Sequence, residues 1–271
     1  MSIVGDGARR RAPCAGDRWI VLRAPDDVLV ETRSNDLGIL CGVPPHAAAA
    51  PPLLVDGDDD SRIWAVVVPE DTPAPDGAHF AAARTLVGAL DPEGFGRLAR
   101  ARMLVEWQRT HRFCGRCGAP TAPAVDEHPV ECARCGLRSY PRISPVVIVR
   151  VTRGDEILLA RSVRAPRPMY SVLAGFVEVG ESLEEAVVRE IAEEVGLEVD
   201  QLAYAGSQPW PFPHALMVAF TARYVAGGIT PDPVEILDAG WYRAEALPDL
   251  PPHGSIARAL IEEFRSVRAA R

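Results

Sequence analysis

Two Cys-x-x-Cys pairs constrain this 271-residue chain more than any other feature. Cys114 and Cys117 are separated from Cys132 and Cys135 by fourteen residues, and each pair is followed by glycine, in CGRCG and CARCG. A Cys-x-x-Cys turn presents two thiolates to one metal, and two such turns complete a tetrahedral four-thiolate zinc site. A redox dithiol needs only one pair, set beside a βαβ pattern. Four thiolates leave no open coordination position, so the expected Zn²⁺ is structural, one per subunit. Cys14 and Cys41 stand alone and read as free thiols. The knuckles organise the chain into three parts: residues 1–90, a helix plus the knuckles at 91–138, and residues 139–271.

The first part reads as a β-rich domain. DRWIVLRA and SRIWAVVVPE carry the β-branched and aromatic residues of strands. Between them, GVPPHAAAAPPLLVDGDDD has the Pro, Gly and Asp content of a loop. No catalytic constellation stands out here, and packing or dimer contact is the expected role. Residues 91–111 read as a helix that starts at Asp91-Pro92 and shares Leu98, Ala101, Leu104 and Val105 on one face. Its other faces carry Arg97, Arg100, Arg102 and Arg109, with Arg112 just beyond. These arginines read as a solvated face, with contact to substrate phosphates as the alternative.

With 48% hydrophobic and 24% charged residues, the chain has the composition of a globular protein. Its net charge of −8 argues against a general nucleic-acid coat protein. There is no apolar run of transmembrane length, and no apolar stretch follows the basic triplet near the N-terminus. A soluble, cytoplasmic protein with no membrane partner is therefore expected. No internal repeat is visible.

From Tyr140 onward, strands and helices mix. VVIVRV and EILLA read as a hairpin about Arg153-Gly154-Asp155, followed by YSVLAGFVEV, LMVAFTARYVA and LDAGWYRA as strands. SLEEAVVREIAEEVG is a helix, with Ser182 and Glu185 as a capping box and Gly196 as its C-terminal stop. GSIARALIEEFRSVRAA closes the chain as a second helix. This pattern predicts an α+β, helix–sheet–helix sandwich.

Glu190, Glu193 and Glu194 stand at i, i+3 and i+4, so they share a face, while Leu183, Ala186, Val187 and Ile191 dock the helix on a sheet. Clustered glutamates repel unless something positive joins them. Oxygen-only ligands favour Mg²⁺ or Mn²⁺, ions that clamp substrate phosphates and activate water. Arg189 is placed to hold one of these glutamates in position.

The whole string from Gly175 through Glu181 and Arg189-Glu190-Ile191 to Glu193-Glu194 and Gly196-Leu197 fills every fixed position of the Nudix box. On these residues the chain resembles the Nudix hydrolases, whose fold is an αβα sandwich and whose substrates are nucleoside diphosphates linked to another group. SQPWPFPHALM, beginning at Ser207, is similar to the SQPWPFPxS signature of the NADH pyrophosphatase subgroup. The zinc ribbon before the domain, YPRISPVVIV, LAGFVEVGES and DPVEILDAGWY match that subgroup too.

The resemblance implies that Glu190, Glu193 and Glu194 bind the catalytic metals and that Glu235 joins them. Among these, Glu194 is the candidate general base. It implies that Tyr140 and Phe176 sandwich the nicotinamide ring, with Trp210 supporting the pocket and Gln208, Met217 and Ala257 lining it. It implies hydrolysis of NAD(H) to nicotinamide mononucleotide and AMP, removal of NAD caps from RNA 5′ ends, and a homodimer. Two positions depart from the subgroup pattern: Ala215 stands where the signature ends in Ser, and Ser144 where Asp is common. Loss of the hydroxyl at 215 puts the substrate preference in question more than the reaction type. The alternatives are a Nudix hydrolase of another nucleoside diphosphate such as ADP-ribose, or a non-catalytic module that binds RNA or NAD.

Overall fold

The structure is a computed structural model that describes residues 13–14, 16–23, 26–31, 39–41, 52–57, 62–124, 129–165 and 168–269. Contacts divide the chain into two units, Met1–Arg142 with Pro211–His214, and Ile143–Trp210 with Ala215–Arg271. Among the described residues, no helix is long and apolar enough to cross a membrane.

The first unit is built on a six-stranded sheet of β1 (Arg18–Arg23), β2 (Asp27–Glu31), β3 (Ile39–Cys41), β4 (Leu53–Gly57), β5 (Arg62–Val68) and β6 (Ala78–Ala82). The order is β4-β5-β1-β2-β6, with β3 paired to β1 and β1 running parallel to β5. The central strands bury IVL and IWAV in unbroken runs, as parallel neighbours covered on both faces require. Trp19 and Trp64 stack inside, with ring centroids 6.3 Å apart. The region between the two expected strands is not all loop. LLVDG forms β4, because Leu54 and Val55 bury their side chains and the Asp and Gly fall at the strand's end. Residues 42–51 and 58–60 of that stretch, with Ser61 and the side chain of Cys41, lie outside the described residues.

Helix α1 (Pro92–Thr110) follows in the same unit, with the Asp91 side chain accepting from the Gly94 N–H at 2.7 Å and proline at the first helical position. It buries Phe95, Leu98, Ala99, Ala101, Leu104 and Trp107, while Val105 is only half-buried. Next come β7 (Thr121–Pro123), β8 (Val130–Cys132) and β9 (Arg138–Ser139), a three-stranded sheet with Cys114 and Cys117 just before β7, Cys132 at the end of β8 and Cys135 in the turn that follows.

The second unit holds β10 (Ser144–Arg153), β11 (Glu156–Ser162), β12 (Leu173–Phe176), α2 (Leu183–Val195), β13 (Glu198–Trp210), β14 (Ala215–Ala226), β15 (Ile236–Arg243) and α3 (Ile256–Ala269). Strand β10 alternates its allegiance. Val147, Val149 and Val151 pack with Ala186, Val187 and Ile191 of α2, while Ile148 packs with Leu260, Ile261 and Phe264 of α3. Two helical layers therefore cover the two faces of one sheet.

Its sheet order is β13-β14-β10-β11-β15, with β12 paired to β10 and β10 parallel to β14. That is the path of the first unit, strand for strand: β1, β2, β3, β4, β5 and β6 take the places of β10, β11, β12, β13, β14 and β15. The expectation of no repeat is corrected at the level of topology. The two halves share a chain path rather than a residue pattern, and a path leaves no periodic trace in sequence.

Candidate active site

The glutamate helix begins as its sequence dictates. Ser182 Oγ accepts from the Glu185 N–H, and Glu185 Oε2 accepts from the Ser182 N–H at 2.7 Å. Gly196 ends it in the left-handed conformation, φ 71°. Between these caps, α2 sets its glutamates in unlike surroundings. Glu190 and Glu194 are buried, 9% and 7% exposed, whereas the side chain of Glu193 is 63% exposed.

Glycine at 175 makes this burial possible. A Cβ added there would lie 1.8 Å from Cδ of Glu190, so the β12 backbone closes directly over that carboxylate. From the other side, Arg189 ties the cluster together. Its Nε and Nη2 donate to the two oxygens of Glu181 at 2.5 and 2.9 Å, a bidentate pair. Its Nη1 donates to Glu190 Oε1 at 2.9 Å and Glu193 Oε2 at 3.0 Å, and Nη2 also reaches the Phe176 carbonyl at 2.9 Å.

Glu235 reaches the same place by another route. The Asp232 N–H donates to the Glu194 carbonyl at 2.9 Å and the Thr230 N–H to that of Val195, which hangs the 230–235 loop on the end of α2. Glu235 pairs with Arg164 at 3.2 Å. Burial, and then the charges of Glu190 and Glu235, push the Glu194 carboxyl up to about 8. Burial likewise raises Glu190. Oε2 of Glu194 has no hydrogen-bond partner among the described residues. A buried carboxylate oxygen without a donor, facing two more carboxylates, is the arrangement a hard divalent cation completes. Among the described residues, these carboxylates are not drawn into a group of three mutually close ligand atoms as the cysteine sulfurs are.

On the opposite face of the sheet, register assembles a second set. Phe176 pairs with Val146, Val146 with Met217, and Met217 with Gln208. Paired residues share a face, so Phe176, Met217 and Gln208 form one row across four strands. Phe176 is 60% exposed. Met217 and Ala257 belong to the cluster under α3. The Gln208 side chain is already engaged: Nε2 donates to the Gly254 carbonyl at 2.8 Å, and Oε1 accepts from the Ile256 N–H at 2.9 Å. It therefore orients the loop leading into α3, a role that its place in a Trp-Pro stretch did not disclose. Trp210 is half-buried at the end of β13, and Tyr140 is 57% exposed in the first unit. The two departures from the signature, Ser144 and Ala215, are direct partners on β10 and β14. Glu181, the bidentate partner of Arg189, is a site residue that sequence reasoning left without a role.

In the ribbon, the Sγ atoms of Cys114, Cys117, Cys132 and Cys135 all lie within 4.8 Å of one another. Cys114–Cys135 and Cys117–Cys132 are each 3.6 Å apart. Four sulfurs about 2.3 Å from a central ion in a tetrahedron stand roughly 3.8 Å apart, so the cluster fits zinc. The Arg116 N–H points at Cys114 Sγ from 3.4 Å, and this contact leads the effects that bring that thiol down to about 6, towards the thiolate a metal needs.

Three family models match in sequence order: an NADH pyrophosphatase-like rudimentary NUDIX domain over residues 16–107, an NADH pyrophosphatase zinc ribbon domain over 109–140, and a NUDIX domain over 141–264. A crystal structure of a NUDIX hydrolase from Nitrosomonas europaea shares the fold, with TM-score 0.51 and 21% identity over 59% of this chain and 93% of that one. The chain belongs to the Nudix hydrolases, in the subgroup of NADH pyrophosphatases that carry a zinc ribbon. Its relatives include proteins named NAD-capped RNA hydrolase NudC. That of Stutzerimonas stutzeri (strain A1501) is 48% identical over 204 residues, 75% of this chain and 73% of the relative. That of Pseudomonas aeruginosa (strain LESB58) is 52% identical over 179 residues, 66% of this chain and 64% of the relative. The first unit is thus a rudimentary second copy of the family domain, in keeping with its duplicated strand path.

Proposed function

We propose that this chain hydrolyses the diphosphate of NAD(H) to nicotinamide mononucleotide and AMP, and removes NAD caps from RNA 5′ ends. The observation that carries the reading is the buried pair Glu190 and Glu194, with an oxygen lacking a donor, closed over by Gly175, whose chain neighbour Phe176 exposes its ring on the other face of the sheet. Names borne by the relatives support the choice of dinucleotide and capped RNA.

Glu190, Glu193, Glu194 and Glu235 hold divalent ions, Mg²⁺ or Mn²⁺, which when bound neutralise charge developing at phosphorus and make water acidic at neutral pH. Arg189 fixes the glutamate geometry through Glu181. Glu194 accepts the proton of the attacking water in this reading. The Phe176 face, Met217 and Ala257 receive the flat nicotinamide, backed by Trp210, while Gln208 positions the 254–257 backbone. Tyr140 serves as the other ring face in this reading. We further read the working enzyme as a cytoplasmic homodimer.

The test is product analysis with NADH and Mg²⁺ or Mn²⁺, beside Glu193→Gln. AMP and reduced nicotinamide mononucleotide from the wild type alone are the expected result. Cleavage of ADP-ribose but of neither NAD⁺ nor NADH would overturn the substrate and leave the Nudix chemistry standing.

A further inference from the structure

The first unit contains an open groove of about 1030 Å³, bordered by β1, α1 and the ribbon, that the diphosphate chemistry does not use. That size is at the upper end of the range of small-ligand pockets. Arg102, His111, Arg109, Arg112 and Phe113 are among its walls. Four arginines line it, counting Arg23, against two acids, Asp26 and Glu106, in a chain whose net charge is −8. Arg23 pairs with Asp27 and Arg102 with Asp26, so the groove's positive excess lies at its Arg109–Arg112 end. Arg112 is exposed and has no ion-pair partner among the described residues. Arg109 is 70% exposed and, among the described residues, held by its helix neighbour Glu106, a surface pair that contributes little and exchanges readily. Beside them Phe113 leaves 63% of its surface bare, an unusual exposure for a phenylalanine.

All 29 basic residues of the chain are arginine. Its phosphate contacts are therefore guanidinium contacts, which grip phosphate with two parallel N–H donors and stack on bases. Cationic walls that follow a backbone, with an exposed ring on which a base stacks, are what binding of single-stranded nucleic acid without sequence preference requires.

We propose that this groove holds the single-stranded RNA that follows the cap, with Arg109 and Arg112 on backbone phosphates and Phe113 under a base. The inference rests on the reading of capped RNA as a substrate. It separates the two substrates: free NAD(H) has no chain to place there, and capped RNA does.

The experiment compares wild type, the double variant Arg109→Gln/Arg112→Gln and Phe113→Ala on NADH and on NAD-capped RNA with an unstructured tail. The expected result is a KM for capped RNA raised about tenfold in each variant, with kcat and the NADH KM unchanged. The slope of log KM against log salt should flatten by about 1.4 in the double variant, two phosphate contacts at roughly 0.7 each. An unchanged KM for capped RNA overturns the proposal, and so does an equal rise for NADH, which would mark a structural effect. Anisotropy with uncapped RNA keeps the test independent of catalysis. Binding by the wild type that the double variant loses supports the groove even if neither substrate is cleaved, and equal or absent binding sinks it.

Discussion

Glu194 makes the site's charge problem measurable. Its carboxyl is raised to about 8 in the fold, against an ordinary value near 4.5. Between those values the folded chain holds a proton that the unfolded chain has released, so stability falls as pH rises. Without divalent ions, the melting temperature should rise as pH is lowered from about 8 towards 5 through this group, and Glu194→Gln should flatten that dependence. Adding Mg²⁺ should stabilise the wild type most at the alkaline end. Melts in chelator with and without Mg²⁺ check both statements, and a wild-type profile matching that of Glu194→Gln contradicts them. Gly175 offers a second test. Alanine there places a methyl on the Glu190 carboxyl and forces it aside. Displacements near 1 Å typically cost about 100-fold in rate. Gly175→Ala should lose about that much kcat while the zinc content stays intact. The spacing of Glu190, Glu193 and Glu194 was plain in the sequence, but their division into two buried groups and one exposed group was not. That division depends on a backbone from β12 and a loop at 230–235, both remote in the chain.

Elements with local causes could be read directly. The Ser182–Glu185 box, the Gly196 stop and the Asp91 cap each depend on residues within a turn of one another, and all are found where the sequence puts them. Ser182→Ala should cost about 1 kcal/mol of stability, readable by urea unfolding. Strand β4 reads as loop in the sequence because a three-residue apolar run flanked by Pro and Asp looks like one until a neighbour, β5, supplies its hydrogen bonds. Strand pairing also brings Ser144 opposite Ala215, which joins two separate departures from the subgroup pattern into one. If one hydroxyl serves this position from either strand, Ser144→Ala should raise the NADH KM several-fold, and adding Ala215→Ser should recover most of it. Additive effects in that double-mutant cycle would show that the two positions act independently.

At the scale of the molecule, the ribbon and the repeated sheet belong together in one chain with a single carboxylate helix. Removing zinc with a strong chelator should unfold the three-stranded ribbon, because so small a sheet has little core of its own. Loss of ordered tryptophan signal from Trp107, whose helix leads into the ribbon, would report it, and an unchanged signal would place the ribbon's stability elsewhere. The repeat has a different consequence. Where the second sheet inserts its glutamate helix between β12 and β13, the first has residues 42–52, GVPPHAAAAPP, without one carboxylate. Two halves with the same plan therefore face unequal selection at corresponding places. A saturation library scored for activity should tolerate nearly any polar replacement across 42–52 and almost none at Gly175, Glu190 or Glu194. The contrast would show a duplicated domain in which one copy kept the chemistry and the other was released to diverge.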